Sequence, residues 1–106
     1  MKNPPPIKFL TILGRRFYLH FKEGGVIVDG KESGGSVDFT NNEIEIDTTM
    51  SEANSIKALL HETCHIGLDV SGIDQTLTKM EVEIICQTMA NTYYDFLVSM
   101  KMIKAS

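Results

Sequence analysis

His61-Glu62-Thr63-Cys64-His65 sets two imidazoles four residues apart, with a carboxylate directly after the first. On a helix, residues four apart lie one turn apart on the same face, so both rings can reach one cation. Position i+1 lies about 100° around the helix. Glu62 therefore stands beside such a cation rather than on it, where it can take a proton from a water held there. Inside a helix, this H-E-x-x-H pattern is the pattern of zinc-dependent peptide hydrolysis, with Glu62 as catalytic base and zinc as cofactor. The competing reading is a polar helix face that carries His, Glu and His in solvent.

Catalytic zinc usually takes three protein ligands and leaves one position for water. The downstream candidates are Asp69, Asp74, Glu81, Glu83 and Asp95. Asp69 follows His65 by one turn, but Gly67 and Val70-Ser71-Gly72 are expected to have ended the helix there. Glu81 is the N3 member of Thr78-Lys79-Met80-Glu81, a capping box, and has that structural explanation. Glu83 has none. It sits among Val82, Ile84 and Ile85, where a carboxylate is costly unless exposed or paired with something positive. His61, His65 and Glu83 are thus the expected metal ligands.

A hydrolytic site also needs a donor for the tetrahedral intermediate. Tyr93, Tyr94 and His20 are the available side chains. Tyr93 also reads as a packed aromatic, and His20, alone on a strand, as an ordinary surface histidine. Cys64 falls about 60° around the helix from His61. It reads as a small, semi-buried hydrophobe, with intrusion on the metal or oxidation as the alternative.

The elements that must position these groups divide near residue 50. Before it lie strands and turns. Phe9, Thr11 and Leu13 are expected on one strand face, then Phe17, Leu19 and Phe21 on the next, with Gly14-Arg15 as the hairpin turn. Val26-Ile27-Val28 is a short third strand, and residues 29–35, DGKESGG, form a polar loop. GSVDFTNNEIEID reads as another hairpin, with Val37 and Phe39 before the turn and Ile44 and Ile46 after it. Residues 43–47 are an expected sheet edge, open to β-augmentation by an extended peptide or guarded by their acidic side chains. Pro4-Pro5-Pro6 dictates an extended start.

Two helices follow. Thr49-Met50-Ser51-Glu52 has the form of a capping box, with Ser51 as a competing N-cap. Ile56, Leu59, Leu60, Thr63 and Gly67 are expected to form the packing face, roughly opposite the histidines, and Gly67 to end the helix. Residues 68–77 connect to a long second helix that runs to about Lys101. Its expected buried stripe is Val82, Ile85, Cys86, Met89, Tyr93 and Phe96.

The 106 residues point to one domain spanning 1–106, of α+β class. Its 42% hydrophobic and 23% charged residues are those of a soluble globular chain. A net charge of -4, with Arg15-Arg16 the only adjacent basic pair, speaks against nucleic acid or a membrane surface as partner. No apolar run is long enough to span a bilayer. Two cysteines without a secretory leader read as reduced thiols, so a cytoplasmic location is expected.

From about Gly35 onward the chain resembles the ImmA/IrrE-type metallopeptidases, especially short phage-encoded members. The resemblance rests on GSVDFTNNEIEID, SIKALLHETCH and LTKMEVEIICQTMANTYYDFL. In that family a Glu-x-x-small pattern on the next helix completes the zinc site, and Glu83 with Cys86 fits it, Cys86 replacing the usual Ala. The resemblance implies a minimal gluzincin-like zincin: a small antiparallel sheet of three to five strands, then the H-E-x-x-H helix and a long C-terminal helix. It also implies a peptide or protein substrate, and host cytoplasm for a phage-encoded chain. It carries no particular substrate, and the extra segments of larger members have no counterpart here. A non-catalytic, zinc-stabilised binding or inhibitor protein on the same scaffold is the alternative function.

Overall fold

Phe17, Leu19 and Phe21 alternate with Arg16, Tyr18 and His20, and this period of two makes a strand with one buried face. In the computed structural model, which describes residues 7–104, that strand is β2, Arg15–Lys22. The remaining elements are β1 Phe9–Ile12, β3 Ile27–Val28, β4 Lys31–Glu32, β5 Gly35–Asp38, β6 Glu43–Asp47, α1 Glu52–Ser71, a 3₁₀ turn at Ile73–Thr76, and α2 Lys79–Ser99. Pro4-Pro5-Pro6 lies outside the described residues.

The architecture is α+β: a four-stranded sheet of order β1-β2-β6-β5, followed by two helices. The sheet is mixed, not antiparallel. β1 pairs with β2 and β5 with β6 antiparallel, but β2 and β6 run parallel, Leu19 opposite Ile44 and Phe21 opposite Ile46. Hairpin signals are local and cannot report this pairing. The segment between β2 and β5, which folds as a separate β3–β4 ribbon, carries the chain back so that β6 lies beside β2. The expected loop at 29–35 therefore contains β4 and the start of β5. Residues 43–47 are interior, and β5 is the edge.

The register puts Phe17, Leu19, Ile44 and Ile46 on one sheet face, and Ile66 of α1 closes the core over them. Burying each of these large side chains stabilises by roughly 1.5–3 kcal/mol. In β1 the inward residues are Leu10 and Ile12, while Phe9 and Leu13 stay 41% and 64% exposed. The face expected from alternation was the wrong one, because the two-residue turn is Leu13-Gly14. Ile12 pairs with Arg15, and φ is 49° at Leu13 and 83° at Gly14, the positive pair of a type I′ turn.

Ser51 caps α1, its hydroxyl accepting from Asn54 N at 3.1 Å. Thr49 does not, because its hydroxyl donates to Asp47 Oδ1 at 2.7 Å. The helix runs through Gly67 and ends at Gly72, which takes the left-handed conformation at φ 80°. A helical glycine costs only about 1 kcal/mol relative to Ala, and Ile66 and Val70 on either side of Gly67 are packed against the sheet. In α2 the expected capping box forms: Glu81 N donates to Thr78 Oγ1 at 3.1 Å and Thr78 N to Glu81 Oε1 at 2.8 Å. Its buried stripe is Cys86, Ala90 and Tyr94, whereas Met89, Tyr93 and Phe96 remain 39%, 52% and 52% exposed. Of the expected stripe Cys86 is buried and Val82 and Ile85 are half-buried, but Ala90 and Tyr94 take the places expected for Met89, Tyr93 and Phe96. Among the described residues no helix is long and apolar enough to cross a membrane.

Candidate metal centre

α1 carries His61 and His65 one turn apart, and α2, packed beside it, brings Glu83 to the same point. Glu83 Oε1 lies 2.7 Å from His65 Nε2 and Oε2 lies 3.3 Å from His61 Nε2. The two Nε2 atoms are 3.1 Å apart. One ligand atom from each residue falls within 4.8 Å of the others, so the group could hold a metal ion. Both side chains on α1 are largely shielded, at 17% and 21% exposure, while Glu83 is 53% exposed.

The chemistry of the donor set fits a cation. Two imidazole nitrogens face each other at hydrogen-bond distance, and a carboxylate touches both. If each ring carries a proton on Nε2 toward Glu83, the two N–H groups oppose one another. A cation at the shared point removes that conflict, and two His with one Glu is a donor set used by catalytic zinc. Burial, then the neighbouring His65, pull the His61 pKa down, against the carboxylate of Glu83 and the Gln87 amide, which push it up. The balance favours the neutral ring, the form that ligates a metal. His61 Nδ1 is buried and makes no hydrogen bond, so the ring is oriented by packing and by its Nε2 contacts.

Glu62 stands next to this cluster and does not join it. Its carboxylate and the three ligands line a common groove of about 750 Å³ that runs along β5 to the β3–β4 ribbon. Burial, with the charge of Glu83 second, raises its pKa to about 7. A carboxylate poised near neutrality can accept and return a proton, as a general base must.

The other expected residues fall elsewhere. His20 is on the outer face of β2, 3.7 Å from Glu43. Tyr93 lines a separate apolar hollow with Leu60, Thr63, Cys64 and Met89. Tyr94 is buried, its ring 4.8 Å below the Lys57 ammonium and its hydroxyl without a partner. None of the three lines the groove. Asp69, now inside α1, is not part of the cluster; burial, then the like charge of Asp74, raises its pKa. Cys64 faces Cys86 between the helices; burial, then the hydrogen bond to Cys64, raises the Cys86 thiol to about 12, so it stays protonated.

Gly35 was missed by the motif reading. It begins β5, and its backbone lies against the Glu62 side chain. The signal was present as Gly34-Gly35 ahead of an alternating strand, but a loop explained it equally well. No protein-family model, curated protein or solved structure matches the chain.

Proposed function

We propose that the chain is a small zinc-dependent metallopeptidase with a minimal zincin-like architecture. The observation that carries this reading is the convergence of His61, His65 and Glu83 on one point, with the Glu62 carboxylate beside them in an open groove. It is also the reading implied by the resemblance to the ImmA/IrrE-type enzymes. Zinc held by the three ligands would lower the pKa of a water toward neutrality and polarise a peptide carbonyl. Glu62 would serve as the base beside them, holding a proton drawn from the attacking water and returning it to the leaving amine. β5 is an edge strand along the groove, and an extended peptide pairing with it would lie with a scissile bond near the three ligands.

Metal analysis with two variants tests the reading. Wild type should carry about one zinc per chain and His61→Ala none. Glu62→Gln should keep its zinc and lose peptide cleavage. Cleavage that survives Glu62→Gln, or a wild-type chain that binds no zinc, overturns it.

A second reading has one observation in its favour: Tyr93, Tyr94 and His20, the expected donors for a developing oxyanion, all lie off the groove. On that reading zinc braces α1 to α2, and the groove binds a protein segment without cutting it. Zinc-loaded wild type that cleaves no peptide in a broad library selects this alternative.

A further inference from the structure

Gly35 is buried, and its φ is not among the positive ones, so backbone conformation is not what requires glycine there. Contact is. A Cβ at this position would stand 3.0 Å from Ile46 Cδ1, 3.2 Å from the Glu45 carbonyl oxygen and 3.2 Å from Glu62 Cγ. All three distances are tighter than ordinary carbon contacts, and one partner is backbone. The Glu45 oxygen belongs to the backbone of the β5–β6 ladder, in which Gly35 pairs with Ile46, so it yields least. The side chains that can give by a few tenths of an ångström are Ile46, at its Cδ1, and Glu62, which lines the groove.

We infer that Gly35 is a positioning residue for Glu62: the missing side chain lets the edge strand lie against the Glu62 stem and sets where its carboxylate stands. This rests on the peptidase reading, in which Glu62 moves the proton. Gly34 supplies the contrast within the same strand edge. A Cβ there would meet Met50 Cε at 2.9 Å and Sδ at 3.1 Å, the far end of a flexible side chain, and Ala58 Cβ at an ordinary 3.5 Å. Its tight contacts are with Met50 and not with Glu62. Two adjacent glycines therefore have different duties: Gly34 accommodates a movable methionine, and Gly35 a catalytic stem between a strand and a helix.

The test compares Gly35→Ala with Gly34→Ala, each alone and with Glu62→Ala, in metal-free and zinc-loaded protein. In the metal-free chain Gly35→Ala lowers the melting midpoint by several degrees, and a substantial part of that loss disappears when Glu62→Ala has removed Cγ. Gly34→Ala gives the same small change in both backgrounds. In the zinc-loaded chain Gly35→Ala keeps one zinc and a near-normal KM but loses about tenfold or more in kcat, the effect of moving a reacting group by a fraction of an ångström. Ile46→Val removes Cδ1, so adding it to Gly35→Ala relieves the competing contact and keeps a poorly folding variant measurable. A stability loss that is equal with and without Glu62, or full kcat in the Gly35→Ala, Ile46→Val double variant, overturns the inference. The metal-free cycle reads the contact even where wild type cleaves nothing, an outcome that counts against the peptidase reading alone.

Discussion

Replacing Glu83 by Ala tests whether α2 completes the metal site. Zinc that binds the folded chain but not the unfolded one stabilises it by about 2.7 kcal/mol when free metal stands at 100 times Kd. For a domain of this size each kcal/mol moves the melting midpoint by about 4–8 °C, so zinc should raise it by roughly 10–20 °C. Glu83 provides one of the three converging ligand atoms and touches both Nε2 atoms, at 2.7 and 3.3 Å. Loss of a group that merely supports a ligand weakens metal binding by about 10–100-fold, so loss of a ligand should weaken it by about 100-fold or more. Free zinc then stands near Kd, and the stabilisation falls to about 0.4 kcal/mol, a shift of only about 2–3 °C. The assay is a thermal melt of chelator-treated protein with and without zinc at pH 7.5. Glu81→Gln is the control, since it loses the same charge two residues away, in the capping box, and should lower both midpoints while leaving their difference intact. A full zinc shift in Glu83→Ala would refute the assignment of the third ligand.

The Glu62 carboxylate should destabilise the metal-free fold at neutral and alkaline pH. Its folded pKa is raised from 4.5 to about 7, so protonation favours the fold, and that stability is present below pH 4.5 and lost as pH rises through 7. Glu62→Gln removes the dependence; above pH 7 the metal-free variant should exceed wild type by on the order of 3 kcal/mol in urea unfolding, and the gap should close near pH 4. Gly67→Ala should stabilise by about 0.5–1 kcal/mol, since the position is helical and open, whereas Gly72→Ala should cost about 1 kcal/mol because of its φ of +80°. Equal effects of the two would contradict the observed helix end. Leu13→Asn should stabilise by a few tenths of a kcal/mol or more, because the turn holds Leu at φ 49° where Asn-Gly is preferred; a loss in the same denaturation assay would contradict the turn geometry.

The site was more legible in the sequence than the sheet that supports it. His61 and His65 could be read because helical spacing is rigid; Glu83 was singled out as a carboxylate among apolar neighbours, yet it and Ile84 are 53% and 59% exposed, and what marks it is its place beside both histidines. Ile66 escaped notice because the packing face was centred on Thr63 and Gly67. The face that meets the sheet keeps Leu59 but is turned part of the way round the helix, where Leu59, Ile66 and Val70 share a stripe. The stripe on α2 was right through Val82, Ile85 and Cys86 and drifted beyond them, where Ala90 and Tyr94 turn inward and Met89, Tyr93 and Phe96 outward. The parallel pairing of β2 with β6 leaves no local trace at all, since each strand alternates as it would in a hairpin. Gly35 was visible as a residue and invisible as a contact, because Glu62 is remote from it in sequence.

That parallel pairing has a kinetic consequence. The β1–β2 and β5–β6 hairpins and the α1–α2 hairpin each join neighbours along the chain, whereas β2 meets β6 only after the whole ribbon segment has been closed into a loop. Non-local closure is the slow part of folding, and helical hairpins form early. His61, His65 and Glu83 all sit on the α1–α2 hairpin, whereas the four-stranded sheet is completed only when β2 meets β6. The point where these three side chains converge thus forms from local pairing, ahead of the sheet that Ile66 packs against.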